Sequence, residues 1–81
     1  MEFKLYTDVV LLHDVLEEQL HAGDVGTAVE RHEVVGLETG YSVEFFDMVG
    51  NTVAVVPLPA SSLRTPTQAD RPSVRMEAVA A

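Results

Sequence analysis

The segment from Tyr41 to Val56 constrains this chain more than any other. Tyr41, Val43 and Phe45 alternate with Ser42 and Glu44, a period of two that sets an apolar face against a polar one along a strand. Thr52-Val53-Ala54-Val55-Val56 follows, rich in β-branched residues and bounded by Pro57. Between the two runs, Asp47-Met48-Val49-Gly50-Asn51 offers Gly50 for the positive φ of a tight loop. The pattern predicts a β-hairpin. A lone hairpin is marginal in water, so other elements must cover its apolar face.

A third strand is expected over residues 25–31, launched by a turn at Gly23-Asp24. Gly26 inside it signals a bulge or the close approach of another backbone. Residues 33–40 connect this strand to the hairpin, with Gly36 and Gly40 marking a turn. After Pro57, the stretch Leu58-Pro59-Ala60-Ser61-Ser62-Leu63 reads as a short helical turn. Leu63 then plugs the core and opens a last short strand at 63–65. Residues 8–20 are ambiguous. Val9, Leu12, Leu16 and Leu20 recur at helical spacing, with Asp8 as a cap and Gly23 as a stop, while Asp8-Val9-Val10-Leu11-Leu12 reads equally as a buried strand before a loop. On periodicity alone, helix is slightly ahead.

Size and charge narrow the rest. The 81 residues, without cysteine, allow one modest core, no disulfide and no thiolate chemistry. No apolar run is long enough for a membrane-spanning helix, and the first residues lack the pattern of a signal peptide, so a cytoplasmic location is expected. Residues 66–81, with Pro66, Pro72 and small polar residues, are expected to form a disordered extension to a folded unit at 1–65. The net charge of −8 is uneven: residues 1–60 hold eleven acids against Lys4 and Arg31. Such a body repels phosphate backbones and anionic lipid, which disfavours nucleic-acid and membrane partners and suits a basic protein surface.

Four or five short strands in about 65 residues suit a small, partly open barrel, because closing a sheet hides its edges. The motifs Asp8-Val9-Val10, Gly23-Asp24-Val25-Gly26-Thr27-Ala28-Val29-Glu30, Val43-Glu44-Phe45-Phe46-Asp47 and Leu58-Pro59-Ala60-Ser61-Ser62-Leu63 together resemble a family of small bacterial proteins, the domain of unknown function 4926. The resemblance covers residues 3–64. It implies an all-β, SH3-like barrel of about five strands and favours strand over helix at 8–12. It brings no established activity. Family members often carry proline near the position of Leu16; this chain does not, so a helical turn within 14–20 remains open. Genes of the family often sit beside genes for toxin-like proteins, so the resemblance makes the chain an antitoxin or immunity candidate.

The residues themselves offer little catalytic chemistry. His13, His21 and His32 lie eight and eleven residues apart, unlike the close pairs of zinc sites. Glu30 and Glu44 are expected to meet across neighbouring strands, and Asp14, Glu17 and Glu18 to form an acidic loop, but a barrel this small has no pocket to separate their pKa values. Ser61 and Ser62 sit where a hydroxyl caps a turn. Neither a nucleophile elbow nor a phosphate loop is present. Trp is absent, so no proline-ligand groove is expected. No enzyme, cofactor or metal is expected. Phe46 alternates outward from Phe45, as an interface anchor or beneath the 13–23 loop. The expected function is a non-catalytic protein-binding module, an antitoxin, immunity or accessory subunit covering a basic surface of a partner encoded nearby. Asp14, Glu17, Glu18, Glu44 and Phe46 are its expected contacts. A homodimer with no dedicated partner is the alternative.

Overall fold

The computed structural model describes residues 2–70, and the alternation beginning at Tyr41 lies at its centre. β3 (Gly40–Phe46) and β4 (Thr52–Pro59) form the expected antiparallel hairpin, with Val43 opposite Val56 and Glu44 opposite Val55. Tyr41, Val43 and Phe45 retain 0%, 0% and 2% of their surface, while Phe46 turns out to solvent. The register shifts between Phe45 and Phe46, leaving Val53 between the paired Thr52 and Ala54. β4 does not stop at Pro57, as the sequence suggested, but runs through to Pro59. The reason is its place at the edge of the sheet, where a missing N–H breaks no ladder on the open side.

β2 (Val25–His32) pairs with the other side of β3. Of the two readings of Gly26, close approach holds. A Cβ there would lie 2.6 Å from Val43 Cγ1 and 3.0 Å from the carbonyl oxygen of Glu44. The irregularity in β2 falls further on, between Ala28 and Glu30.

Residues 8–20 are not a helix. β1 (Asp8–Leu11) is a strand with Val9, Val10 and Leu11 all buried, whereas Leu12 and Leu16 of the helical stripe are exposed. β1 lies between β2 and a two-residue strand, β5 (Leu63–Arg64), with Val10 opposite both Val25 and Arg64. Sheet partners on both sides satisfy its backbone and let consecutive residues be buried, which one helical stripe would not. The helical turn left open within 14–20 is a 3-10 turn at Leu16–Glu18, ended by Gln19 at φ 58°. A second 3-10 turn, Ala60–Ser62, delivers Leu63 to the core as expected, and the last strand ends one residue short of the expected 65.

The strand order β4-β3-β2-β1-β5 is antiparallel throughout and curls into a half-barrel, all-β apart from the two short turns. The segment before β1 adds to its core. Phe3 packs edge-on against Tyr41, ring centroids 5.4 Å apart, and its backbone N–H donates to the Tyr41 hydroxyl at 2.9 Å. Glu2 pairs with Arg31 on β2, which also holds Glu33 at 2.7 Å. Beyond β5, residues 66–70, which the sequence assigned to the extension, form a turn. Asp70 accepts two hydrogen bonds from the Arg64 guanidinium, at 2.7 and 2.8 Å, and one from the Thr67 N–H. The rest of that expected extension, 71–81, lies outside the described residues. Among the described residues, no helix is long and apolar enough to cross a membrane.

Two substitutions test this packing. Gly26→Ala drives a methyl into the buried, branched Val43 and the β3 backbone, and is expected to cost about 1–3 kcal/mol by chemical denaturation. Tyr41→Phe strands the Phe3 N–H in a buried setting, also at about 1–3 kcal/mol. Amide exchange of Phe3 should accelerate beyond the change in global stability, and an unchanged Phe3 rate would show that the hydroxyl does not hold this segment.

Candidate functional surface

The pairing register decides which surfaces lie together. Gly26 near the start of β2 faces Phe45 near the end of β3, so the β1–β2 loop (12–24) and the β3–β4 turn emerge at the same end of the sheet. The expected contacts Asp14, Glu17, Glu18 and Phe46 all sit at that end, with Glu44 one step along β3.

The loop is tied down by its own polar groups. Asp14 Oδ1 accepts the Ala22 N–H at 2.9 Å and lies 3.9 Å from His21 Nδ1. Asp24, nearly buried, accepts the His21 N–H at 2.9 Å. Val15 and Leu20 form an isolated antiparallel bridge and point into the core. Glu17 and Glu18, on the 3-10 turn between them, are left exposed. His13 Nε2 meets Ser62 Oγ at 2.7 Å, linking the loop to the turn before β5. Sequence reasoning missed this link, because nothing local marks two residues 49 positions apart.

The hairpin presents an apolar face. Phe46 is 45% exposed, and Val53 and Val55 on β4 are 58% and 55% exposed. Met48 and Val49 at the tip are more open still. Glu44 lies opposite Val55, its carboxylate accepting the Thr52 hydroxyl at 2.5 Å. Of the two readings of Phe46, the exposed one fits. The exposure of Val53 and Val55 was not foreseen; Pro57 and Pro59 were the available signal, since prolines within a strand mark a sheet edge.

The expected meeting of Glu30 and Glu44 does not occur. Glu44 faces Thr27, and Glu30 faces Ser42 beyond the irregularity in β2, so the two carboxylates lie at different levels of the ladder. His32 Nε2 contacts Ser42 Oγ at 2.7 Å and lies 3.5 Å from Glu30. Among the described residues, no group of three or more His, Asp or Glu that could hold a metal ion is found. An open depression of about 460 Å³ lies between Glu2, Phe3, Lys4 and the Thr65-Pro66 stretch, on the β5 side of the molecule.

Asp47 fixes the shape of the hairpin tip. Its Oδ1 accepts the backbone N–H groups of Asn51 and Val49 at 2.9 and 3.0 Å, and Gly50 takes φ 87° to complete the loop. The Asn51 N–H above all holds the Asp47 carboxyl below its ordinary value of 3.8. A depressed folded pKa adds stability that is fully present above the unfolded value and disappears as pH falls through the folded one. Asp47→Ala is therefore expected to lower Tm at pH 7, with the gap to wild type shrinking as pH falls below 3.8. A gap that stays constant into acid would show that the carboxylate charge is not what holds the tip.

No curated protein and no solved structure matches the chain. A family model does, over residues 5–65, a span that contains β1 to β5 and both the acidic loop and the hairpin tip. The chain thus belongs to the family described as Domain of unknown function (DUF4926).

Proposed function

We propose that this protein is a non-catalytic binding module, an antitoxin, immunity or accessory subunit that covers a basic surface of a partner protein encoded nearby. The observation that carries the reading is the apolar group Phe46, Val53 and Val55, exposed on the outer side of the hairpin with Glu44 beside it. Apolar anchors within a polar rim are the usual anatomy of a protein interface. Glu17 and Glu18, at the same end of the sheet, extend the acidic rim. The net charge of −8 speeds encounter with a basic partner and opposes unrelated acidic ones.

The test is capture of a stoichiometric partner by the tagged protein from its native lysate, followed by kinetics with that partner purified. Phe46→Ala and Val55→Asp are expected to weaken the complex by tenfold or more, and association is expected to slow as salt rises. A captured protein whose affinity ignores both substitutions would remove the hairpin from the interface, and an association rate indifferent to salt would remove charge steering.

Self-association is the second reading, supported by the unpaired side of β4. It predicts a mass in solution that rises with concentration and a dimer that Val55→Asp dissociates. The like charge on two copies works against it.

A further inference from the structure

The edge strand β4 offers a partner less backbone than its place in the sheet suggests. The Ala60 N–H donates to the Thr39 carbonyl at 2.9 Å, in register with Gly40 opposite Pro59. Bonded pairs alternate along an antiparallel ladder. Leu58, Val56 and Ala54 therefore turn their backbone groups to β3, while Pro59, Pro57 and Val55 turn theirs to the open side. Two of those three residues have no N–H. Before Ala54 the register slips at Val53. An added strand needs a donor and an acceptor at every second residue, and this edge gives it Val55 and then an irregularity. Prolines and bulges are common guards of an exposed edge.

The outer face of the hairpin carries no such guard. Glu44 lies opposite Thr27 and Val55, and Thr27 opposite Asp8. These four residues form one row across four strands, on the side away from Tyr41, Val43 and Phe45, and the row is apolar at β4 alone. Phe46, opposite Thr52, and Val53 extend the exposed apolar group along the hairpin rather than across the sheet. The result is a strip about two strands, or about 10 Å, wide. One α-helix with its side chains is about 10–12 Å across, so it covers such a strip, whereas a second sheet would overlie the polar rows beside it. Glu44 flanks the strip, and Asp8 lies two strand spacings further, about 10 Å away. The hairpin, residues 40–59, contains no Lys or Arg to answer that charge.

We propose that the outer face of the hairpin seats a basic amphipathic helix of the partner. Its apolar stripe lies on Phe46, Val53 and Val55, and the Lys or Arg residues beside that stripe face Glu44 and Asp8. A second copy of this chain does not fit the place: its described residues hold no helix longer than a 3-10 turn, and it carries the same excess of acid. The inference rests on the partner-binding reading and adds to it the kind of element that docks.

The test uses the full chain and two synthetic peptides of identical leucine and lysine content, one with leucine at helical spacing and one strictly alternating. Amide NMR is expected to show the helical-spacing peptide shifting Phe46, Val53 and Val55 and binding tighter than the alternating one. Phe46→Ala and Val55→Ser, both at exposed positions, are expected to weaken that binding by about tenfold or more. Tighter binding of the alternating peptide would overturn the proposal in favour of strand addition. Binding that ignores both substitutions would overturn it by showing charge attraction alone, and no binding of the helical-spacing peptide would overturn it outright. The native partner takes no part in this readout, so failure here removes the helix and leaves the binding-module reading to its capture test.

Discussion

Tyr41, Val43 and Phe45 occupy one face of a strand in the middle of the sheet, and the rest of the fold is arranged to keep water from them. No disulfide relieves that demand. β2 can lie against β3 only because Gly26 has no side chain. The residues before β1 turn back so that Phe3 meets Tyr41, its N–H satisfied by the same ring's hydroxyl. Leu11, Leu58 and Leu63, from three other strands, belong to the same buried cluster, as do Val15 and Leu20 of the β1–β2 loop. Each of these is a side chain brought from a distance to one buried face, which is how so short a chain obtains a core.

The elements legible in the sequence are those whose signal is local. Alternation at 41–45, the loop glycine and the run at 52–56 described a hairpin that needed nothing beyond its own residues. Gly23-Asp24 announced β2 in the same way. The stretch at 8–20 was illegible because two periods overlap there: Val9, Leu12, Leu16 and Leu20 make a helical stripe, while Val9, Val10 and Leu11 are three consecutive residues of a strand flanked on both sides. Which period wins depends on β5, contributed from far along the chain. The family resemblance supplied that missing information. Composition is silent in the same way on the turn after β5, where Asp70 bonds back to Arg64.

The surface was legible in part. The outward direction of Phe46 and the exposure of Glu17 and Glu18 follow from alternation and charge. The apolar row on β4 does not, because the run at 52–56 has no alternation to say which of its side chains face out, and only the pairing sets Val55 opposite Glu44 at the edge of the sheet. Paired carboxylates misled for the same reason. Glu30 and Glu44 sit on adjacent strands, and only the register, shifted at the irregularity in β2, shows that they face different neighbours.

The pairing of β5 with β1 has a kinetic meaning. It joins Leu63 to Leu11 and Arg64 to Val10, positions more than fifty residues apart, through a strand of two residues. The β2–β3–β4 meander needs only short loops, so its closure entropy is small and it has the means to assemble first. The order of assembly then runs from the meander outward, and the joint that forms last rests on the fewest pairs. The chain is in effect a zipper with its weakest tooth at one end, and a pull on the residues beyond Arg64 would strip β5 from β1 before loading the meander.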